Sequence, residues 1–191
     1  YWLGEDGTLR MAPVREVESL RGEVVHQGPT EIPSNGEVVL NGVRGKALEI
    51  DAVLEPGSAR EGGLIVLRTP DGSEQTRVSF YRRYSDRRGL DGLQIDVSAA
   101  SLREDVYARE PEIGPLDLGP DEPLRLRVFV DRSVIEVFAD DRQCLTLRAY
   151  PDREDSNGVA VFARGGSARL ESLDAWQMQS VWPELTHLEG R

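Results

Sequence analysis

The hydrophobic residues of this chain fall into short runs that alternate with polar residues, a pattern typical of β-strands. The clearest runs span residues 124–130, 134–139 and 145–150, and they are too short and too rich in Val, Ile and Phe for ordinary helices. In the first run, aliphatic residues occupy every second position, and Arg125 and Arg127 lie between them. This alternation predicts strands with one buried face and one partly polar face.

Polar turn sequences separate these runs. Asp131-Arg132-Ser133 lies between the first two runs, and its Asp and Ser can bond to nearby backbone groups, which favours a tight reversal of the chain. A second polar turn covers residues 140–143, and Asn157-Gly158 and Gly165-Gly166 bracket another apolar run. Together with a last run at residues 168–176, these segments predict an antiparallel meander.

The first half of the chain has similar short apolar segments. In residues 47–54, the alternation places Leu48, Ile50, Ala52 and Leu54 on one side. Pairs of turn-forming residues, among them Asn41-Gly42 and Gly62-Gly63, are expected to separate the segments. The expected strands cover residues 23–27, 38–40, 47–54, 64–68, 75–81 and 93–97. Because every strand would give one face to a shared core, the chain is predicted to be all-β, a two-layer antiparallel β-sandwich.

The chain is expected to contain three parts. Residues 1–22 form an interdomain linker, residues 23–183 form the sandwich, and residues 184–191 form a polar C-terminal tail. In the linker, apolar residues at positions 14, 17 and 20 predict a short helix or an extended strap. Residues 98–123, which are rich in Glu, Pro and Gly, are expected to cross between the two sheets.

The charge balance argues against two kinds of partner. The chain has 191 residues, with 23 Lys and Arg against 34 Asp and Glu, and a formal net charge of −11. Nucleic acids and anionic membrane surfaces are recognised by basic patches, so neither is expected as a partner. No run approaches the roughly 18 apolar residues of a membrane span, which predicts a soluble chain. Its first residue is Tyr1, so the parent polypeptide is expected to begin upstream, and the compartment of that parent stays open.

Cysteine and histidine chemistry is sparse. Cys144 is the only cysteine, which excludes an internal disulfide and any zinc site built on several thiolates. His26 and His187 lie near the two ends, outside any triad-like pattern, so a buried apolar cysteine is the favoured interpretation. The acidic segment at residues 152–158 fits a turn as well as a calcium loop, and we predict no metal ion and no cofactor.

One local basic patch, at residues 81–88, is a candidate binding surface. Its candidate contact residues are Tyr81, Arg82, Arg83 and Tyr84. They would dock a carboxylate-rich partner, stack on a sugar ring or bind an anion. The alternative is a solvated hairpin tip whose arginines pair with local acids.

Trp176 is the other candidate for contact with a sugar or a partner. With Trp2 and Trp182 it would form a stacking platform for sugar rings. The alternative is that Trp176 packs in the core or against another domain.

Four composite motifs resemble a known family. They are residues 127–138 (RVFVDRSVIEVF), residues 147–151 (LRAYP), Gly165-Gly166 and residues 173–178 (LDAWQM). Together they resemble the C-terminal β-sandwich of glycoside hydrolase family 32, which comprises invertases, inulinases, levanases and related fructosyl-transferring enzymes. The opening, residues 4–21, is similar to the junction between the two domains of that family. The resemblance implies a sandwich of the lectin or galectin type that stabilises a catalytic β-propeller.

The resemblance carries over no catalytic residue. The family places its nucleophile, transition-state stabiliser and acid/base in Trp-Met-Asn-Asp-Pro-like, Arg-Asp-Pro and Glu-Cys motifs, and none of these occurs here. Retaining glycosidases need two carboxyl groups about 5–5.5 Å apart. Asp131 and Glu136 are the most tempting pair, but we expect structural roles for both, with Asp131 bonding to the turn backbone.

The resemblance therefore implies part of a β-fructofuranosidase-type glycoside hydrolase, which hydrolyses or transfers fructosyl units of sucrose or fructans. The chain alone is predicted to be inactive. Its expected partners are the catalytic β-propeller of the same parent enzyme and, through that parent, sucrose or fructan. An independent carbohydrate-binding module is the alternative.

Overall fold

The computed structural model describes residues 1–85, 90–107 and 109–182, and it contains fifteen strands and one short helix within these ranges. The helix is a 3₁₀ helix at Arg15–Leu20. The strands are β1 (Trp2–Leu3), β2 (Leu9–Arg10), β3 (Arg21–Gln27), β4 (Thr30–Ile32), β5 (Gly36–Arg44), β6 (Ala47–Glu55), β7 (Glu61–Arg68), β8 (Thr76–Ser85), β9 (Leu90–Asp96), β10 (Glu112–Pro115), β11 (Leu124–Asp131), β12 (Val134–Ala139), β13 (Gln143–Arg148), β14 (Gly158–Arg164) and β15 (Ala168–Met178).

The strands form two large antiparallel sheets. The six-stranded sheet has the order β10-β9-β8-β7-β14-β5. The seven-stranded sheet has the order β13-β12-β11-β6-β15-β3, and β4 pairs with β15 beside it. Strands β1 and β2 form a separate hairpin before the sandwich. The expected two-layer sandwich, preceded by a short helical strap, is confirmed.

Alternate residues of both sheets fill one hydrophobic core, since this arrangement lets each strand bury one face. On β6, Leu48, Ile50, Ala52 and Leu54 are buried, as the alternation predicts. The aliphatic positions 124, 126, 128 and 130 of β11 are buried in the same core. The other faces of β6 and β11 carry charged side chains, and these define the outer face of the seven-stranded sheet.

Asn41-Gly42 and Gly62-Gly63, which were expected to separate strands, lie inside them. Gly62-Gly63 belongs to β7, all of whose residues are buried. A Cβ atom at Gly63 would lie 2.1 Å from the carbonyl oxygen of Val78, so glycine permits the close approach of β7 and β8. Gly42 lies within β5 with a φ of 87°, which suits glycine. The prediction was wrong because the sequence does not distinguish a glycine that ends a strand from a glycine that lets a neighbouring strand approach closely.

Two further segments differ from the expectation in detail. Strand β8 continues to Ser85, so the first half of the predicted arginine-rich loop is strand. Residues 98–123 do pass from one sheet to the other, as predicted, but they include the short strand β10, which pairs with β9. The expected boundaries of linker, sandwich and tail stay predictions, because residues 183–191 lie outside the described part of the chain.

One buried carboxylate organises the loops at one end of the sandwich. The side chain of Glu74, between β7 and β8, is fully buried. It accepts hydrogen bonds from the backbone N–H groups of Leu102, Asp152 and Arg153 at 2.9, 2.9 and 3.0 Å, and from the Ser156 hydroxyl at 2.5 Å. Burial by itself would raise the pKa of Glu74, but these hydrogen bonds outweigh it and lower the pKa. Glu74 thereby ties together three loops that are distant in sequence.

We expect Glu74→Ala to lower the free energy of unfolding by about 3 kcal/mol, because three backbone N–H groups and the buried Ser156 hydroxyl lose their shared acceptor. Urea denaturation followed by tryptophan fluorescence measures the change. The control is Glu104→Ala, at an exposed position shortly after Leu102. It should change the free energy of unfolding by no more than about 0.5 kcal/mol. Equal stability of the two variants would show that Glu74 does not organise these loops.

Candidate functional site

The segment that precedes the sandwich lies across the outer face of the seven-stranded sheet. This segment, residues 11–20, is called the strap below. At one end the Met11 N–H donates to the carbonyl of Asp141, in the turn between β12 and β13, at 2.8 Å. At the other end the Leu20 carbonyl accepts from the N–H of Gln179, just after β15, at 2.8 Å. The strap therefore spans the sheet from β12 to β15.

A buried carboxylate fixes the strap to the sheet. Glu49 lies on the outer face of β6 and is 0% exposed. The Nε and Nη2 atoms of Arg21 donate to its two oxygens at 2.8 and 2.6 Å, and Nε of Arg127 on β11 donates to Oε1 at 2.6 Å. Glu18 on the strap lies 3.4 Å from Arg127 and 3.7 Å from Arg21. Two arginines and two glutamates thus balance their charges where strap and sheet meet.

The electrostatics of this cluster favour ionised groups. Burial by itself would raise the pKa of Glu49, but the hydrogen bonds from Arg21 and Arg127 outweigh it and hold the pKa below the ordinary value of 4.5. The hydrogen bond to Glu49 raises the pKa of Arg21. A carboxylate this deeply buried can stay charged only because both cations are in place.

Trp176 completes the same cluster. It lies on the outer face of β15, next to Glu49 in the sheet register, and the Arg21 guanidinium carbon lies 4.0 Å from its ring centroid. This is cation–π geometry, which uses one face of the indole. The position favours the packing interpretation of Trp176, and its role in sugar or partner contact stays a prediction.

The hairpin formed by β1 and β2 carries apolar side chains into solvent. Tyr1, Trp2, Leu3 and Leu9 are 88%, 46%, 71% and 55% exposed, and Val14 on the strap is also exposed. Single exposed apolar residues are common on proteins, but Leu3 and Leu9 are cross-strand partners and so lie side by side, and neighbouring exposed apolar side chains are typical of an interaction surface. These residues, with the strap, form the candidate docking surface of the chain.

A cavity of about 580 Å³ lies between the strap, the β11–β12 hairpin and the end of β15. Asp131 and Glu136, the tempting carboxylate pair of the sequence, both line it, together with Leu20, Phe129 and Trp182. The register places Val134 opposite Asp131, so Glu136 is its diagonal neighbour, at roughly 7–8 Å between Cα atoms.

The separation of about 5–5.5 Å that defines a retaining pair is measured between carboxyl groups rather than Cα atoms, so the register alone does not make this pair a glycosidase site. Glu136 also accepts a hydrogen bond from Thr146 at 3.3 Å. The tight turn at residues 131–133 is confirmed, and its backbone contact to the rest of the sheet is the Arg132 N–H donating to the Lys46 carbonyl at 2.6 Å.

A second pair of carboxylates faces each other directly. Asp51 on β6 and Asp174 on β15 are cross-strand partners on the outer face. Arg125 donates two hydrogen bonds to Asp51, and His26 lies 2.5 Å from Asp174. Asp51 is thus charge-paired with Arg125, and Asp174 is hydrogen-bonded to His26, both on the outer face of the sheet.

The predicted contact residues of the basic patch lie elsewhere. Tyr81 is on the six-stranded sheet, paired with Glu61 and Gly92, and the Arg60 guanidinium lies 5.9 Å from its ring centroid. Arg82 lies 3.6 Å from Asp91 and donates to the Pro120 carbonyl at 3.0 Å. The sandwich thus separates Tyr81 from Trp176 by placing them on different sheets, so they do not form one site.

The remaining candidate residues of this patch cannot be placed in the same way. The side chains of Arg83 and Tyr84 lie outside the described part of the structure, although both belong to β8. Their contact with a sugar or a partner stays a prediction.

Metal and thiol chemistry find little support in the structure. Within residues 1–85, 90–107 and 109–182, no group of three or more His, Cys, Asp or Glu side chains is placed to hold a metal ion. Arg153 engages Asp155 and Asp71, in and near the acidic segment considered as a calcium loop. Cys144 is half-buried beside Phe138, and burial raises the pKa of its thiol, which makes it a weak nucleophile. No helix in the same ranges is long and apolar enough to span a membrane.

The fold is that of a domain found within longer chains. Fructan 1-exohydrolase IIa from Cichorium intybus superimposes with a TM-score of 0.81, over 94% of this chain and 40% of that protein. The sequence identity is 19%, so this likeness establishes the fold. The class of protein is therefore a β-sandwich domain of the type found in that enzyme.

The sequence comparisons identify the family. Residues 16–177 match the family described as glycosyl hydrolases family 32 C terminal. The chain is 31% identical to the levanase of Bacillus subtilis over 188 residues, which cover 93% of this chain and 26% of the levanase. It is 29% identical to beta-fructofuranosidase insoluble isoenzyme 5 of Oryza sativa, over 94% of this chain and 40% of that protein. The chain belongs to glycoside hydrolase family 32, as its C-terminal domain, and spans well under half of these relatives.

The sequence did not reveal the Glu49 cluster. Glu49 occupies a polar position of an alternating strand, as a solvated residue would. Its partners Arg21 and Arg127 are 28 and 78 residues away, and only the sheet register and the strap bring them together. The available signal was the register of β6 against β11, which places Glu49 opposite Phe129, next to Arg127.

We expect Glu49→Gln to lower the free energy of unfolding by about 3 kcal/mol, because it leaves two arginines without their shared carboxylate. The variant should also make trypsin cleave faster after Arg15 in the strap and after Arg21 next to it, since Arg21 loses the carboxylate that anchors it. Chemical denaturation and timed proteolysis with mass spectrometry measure these effects. Glu23→Gln, which removes an exposed charge on β3, should change neither the free energy of unfolding nor the rate of trypsin cleavage. A strap that is equally protected in both variants would contradict the anchoring role.

Glu49 should also contribute to the acid sensitivity of the fold. Its folded pKa lies below 4.5, so its contribution to stability is present above that pH and is lost as the pH falls through the folded pKa. In thermal unfolding between pH 3 and pH 7, the wild-type protein should be more stable than Glu49→Gln near neutral pH. This difference in stability should shrink as the pH drops below 4.5. A constant difference between the two proteins across this range would contradict the shift.

Proposed function

We propose that this chain is the non-catalytic β-sandwich of a β-fructofuranosidase-type glycoside hydrolase, and that it packs against the catalytic domain of the same parent enzyme. In that enzyme the catalytic domain would hydrolyse or transfer fructosyl units of sucrose or fructans. The sandwich would hold that domain in place through the candidate docking surface, the β1–β2 hairpin and the strap.

The observation that carries this proposal is the apolar hairpin, which is attached to the sandwich but unpartnered within the described residues. Trp2, Leu3 and Leu9 are exposed, and the strap that follows them is fixed by the Glu49 cluster. Fixing the strap limits the orientations that the hairpin can adopt, which lowers the entropy lost when a partner covers it. The relatives are much longer than this chain, which supports a partner domain of the same polypeptide.

The lack of a catalytic role for this chain is supported by the state of its carboxylates. Glu49, Asp51 and Asp174 are each engaged by a basic side chain, and Glu74 by four hydrogen-bond donors. A glycosidase requires one protonated and one ionised carboxyl group that both reach the scissile bond. Carboxylates already held by such partners, whether buried or on a sheet face, are poor candidates for either role.

The proposal is tested by mixing this chain with the separately produced catalytic domain of its parent. We expect the chain alone to hydrolyse neither sucrose nor inulin, and the mixture to form a one-to-one complex by native mass spectrometry. The double variant Trp2→Ser with Leu3→Ser should weaken the complex at least tenfold, because two apolar anchors lose their buried contact. Isothermal titration calorimetry measures the affinity.

A matched control is available on the other sheet. Val39 on β5 is exposed to a similar degree as Trp2, so Val39→Ser removes an exposed apolar side chain from a surface with no proposed partner. This variant should bind like the wild-type chain. Sucrose hydrolysis by the chain alone would refute the non-catalytic role. Affinity for inulin without affinity for the catalytic domain would instead favour a carbohydrate-binding module.

A further inference from the structure

Two adjoining cavities lie at the end of the sandwich where Glu74 ties the loops together. The first has a volume of about 480 Å³ and the second about 210 Å³. They share Val106, Ala149 and Tyr150 in their walls, and the phenol side chain of Tyr150 is about half exposed. They are called the end cavities below. The larger one has the size of a small-molecule site.

The walls of the end cavities are basic, although the protein is acidic. The lining residues include five cationic side chains, Lys46, Arg103, Arg109, Arg132 and Arg148, and only two carboxylates. In the whole chain acids outnumber bases by 34 to 23. Among the residues that line these cavities, cations thus outnumber carboxylates, the opposite of the protein as a whole, and such a local arrangement attracts anions.

Most of these cations have no acidic partner. The two carboxylates are Asp105 and Asp152, and Asp105 is held by Arg103. In the described part of the chain, Lys46, Arg109, Arg132 and Arg148 have no carboxylate within 4.0 Å. Lys46 instead donates to the carbonyl of Arg153 at 3.3 Å. Four positive charges around two joined cavities are therefore available to a ligand.

The backbone that carries these cations is held in a defined conformation. Glu74 binds the N–H groups of Leu102 and Asp152, which directly adjoin Arg103 and Pro151 of the cavity wall in the chain. Arg132 has a φ of 52°, in the left-handed region that favours glycine, at the first central position of the two-residue turn between β11 and β12. Strained residues of this kind cluster at functional sites. The turn thus holds Arg132 in a defined backbone conformation beside the cavity.

We propose that the end cavities bind a small organic phosphate, with its phosphoryl group between Lys46 and Arg132 and its organic part against Tyr150, Val106 and Pro151. Several cations from separate loops can neutralise a dianion, and lysine and arginine are the usual phosphate-binding side chains. The larger cavity exceeds what inorganic phosphate would fill, and its wall also holds Val106, Ala149, Tyr150 and Pro151, so an ester with a small organic part fits better than the free ion. This site is independent of the proposed role of the chain in a glycoside hydrolase.

Three phosphate compounds test the site: inorganic phosphate and two esters, phenyl phosphate and fructose 6-phosphate. Fructose is the uncharged comparison. Calorimetry at low ionic strength should detect both esters, at least tenfold tighter than inorganic phosphate, and no binding of fructose. Raising the salt concentration should weaken the binding, because the attraction is electrostatic and partly exposed to solvent. Equal affinities for the esters and for inorganic phosphate would overturn the proposal, as would the absence of any binding.

Two variants locate the site. Arg132→Gly removes the guanidinium and places a residue that adopts a positive φ without strain, so the fold is kept. Lys46→Gln removes the other proposed contact at similar length. Each should weaken phenyl phosphate binding at least tenfold.

Arg164→Gln, at the far end of β14 and roughly 20 Å along that strand from the cavity end, removes one positive charge elsewhere and is the control. It should leave the affinity within twofold of the wild-type value. Thermal unfolding of each free variant checks that it is folded. If all three variants weaken phenyl phosphate binding equally, the binding depends only on the net charge of the protein, and the proposed site is refuted.

Discussion

The outer face of the seven-stranded sheet depends on one buried charge, which fixes the strap to that sheet. Glu49 is out of contact with water on a sheet face that would otherwise be a solvated surface, and it stays ionised because Arg21 and Arg127 hold it from two sides. Arg21 in turn stands at the end of the strap and stacks on Trp176. The strap is therefore part of the folded domain, and the apolar hairpin before it is presented in a restricted range of orientations.

The sequence was sufficient to predict the sandwich because its main signal is local. Alternation in residues 47–54 and 124–130 assigned the buried faces, and the polar turn at residues 131–133 assigned the hairpin. Glycine was misleading where its effect depends on another strand. Gly62-Gly63 suggested an interruption, whereas Gly63 lies in the middle of a strand and makes room for the backbone at Val78.

The candidate sites could be predicted less well, since each is assembled from residues that are distant in sequence. The basic patch at residues 81–88 was conspicuous because its arginines are consecutive, but Arg82 is already near Asp91. The five cations of the end cavities come from four separate loops or strand ends, and no local window of sequence contains more than two of them. Asp131 and Glu136 were correctly seen as neighbours in a hairpin, but the cavity that they line depends on the strap and on the end of β15.

Strand β15 is the last strand of the seven-stranded sheet in the chain, and it pairs with β3, β4 and β6. These partners lie more than 100 residues earlier in the chain. Loops of this length must be closed before the pairing contributes any stability, and such long-range topologies fold slowly. During synthesis β3, β4 and β6 would emerge from the ribosome well before the strand that completes them. Until then the edge of β6 would remain open to strands of other chains, so newly made domains would be most prone to aggregation in that interval.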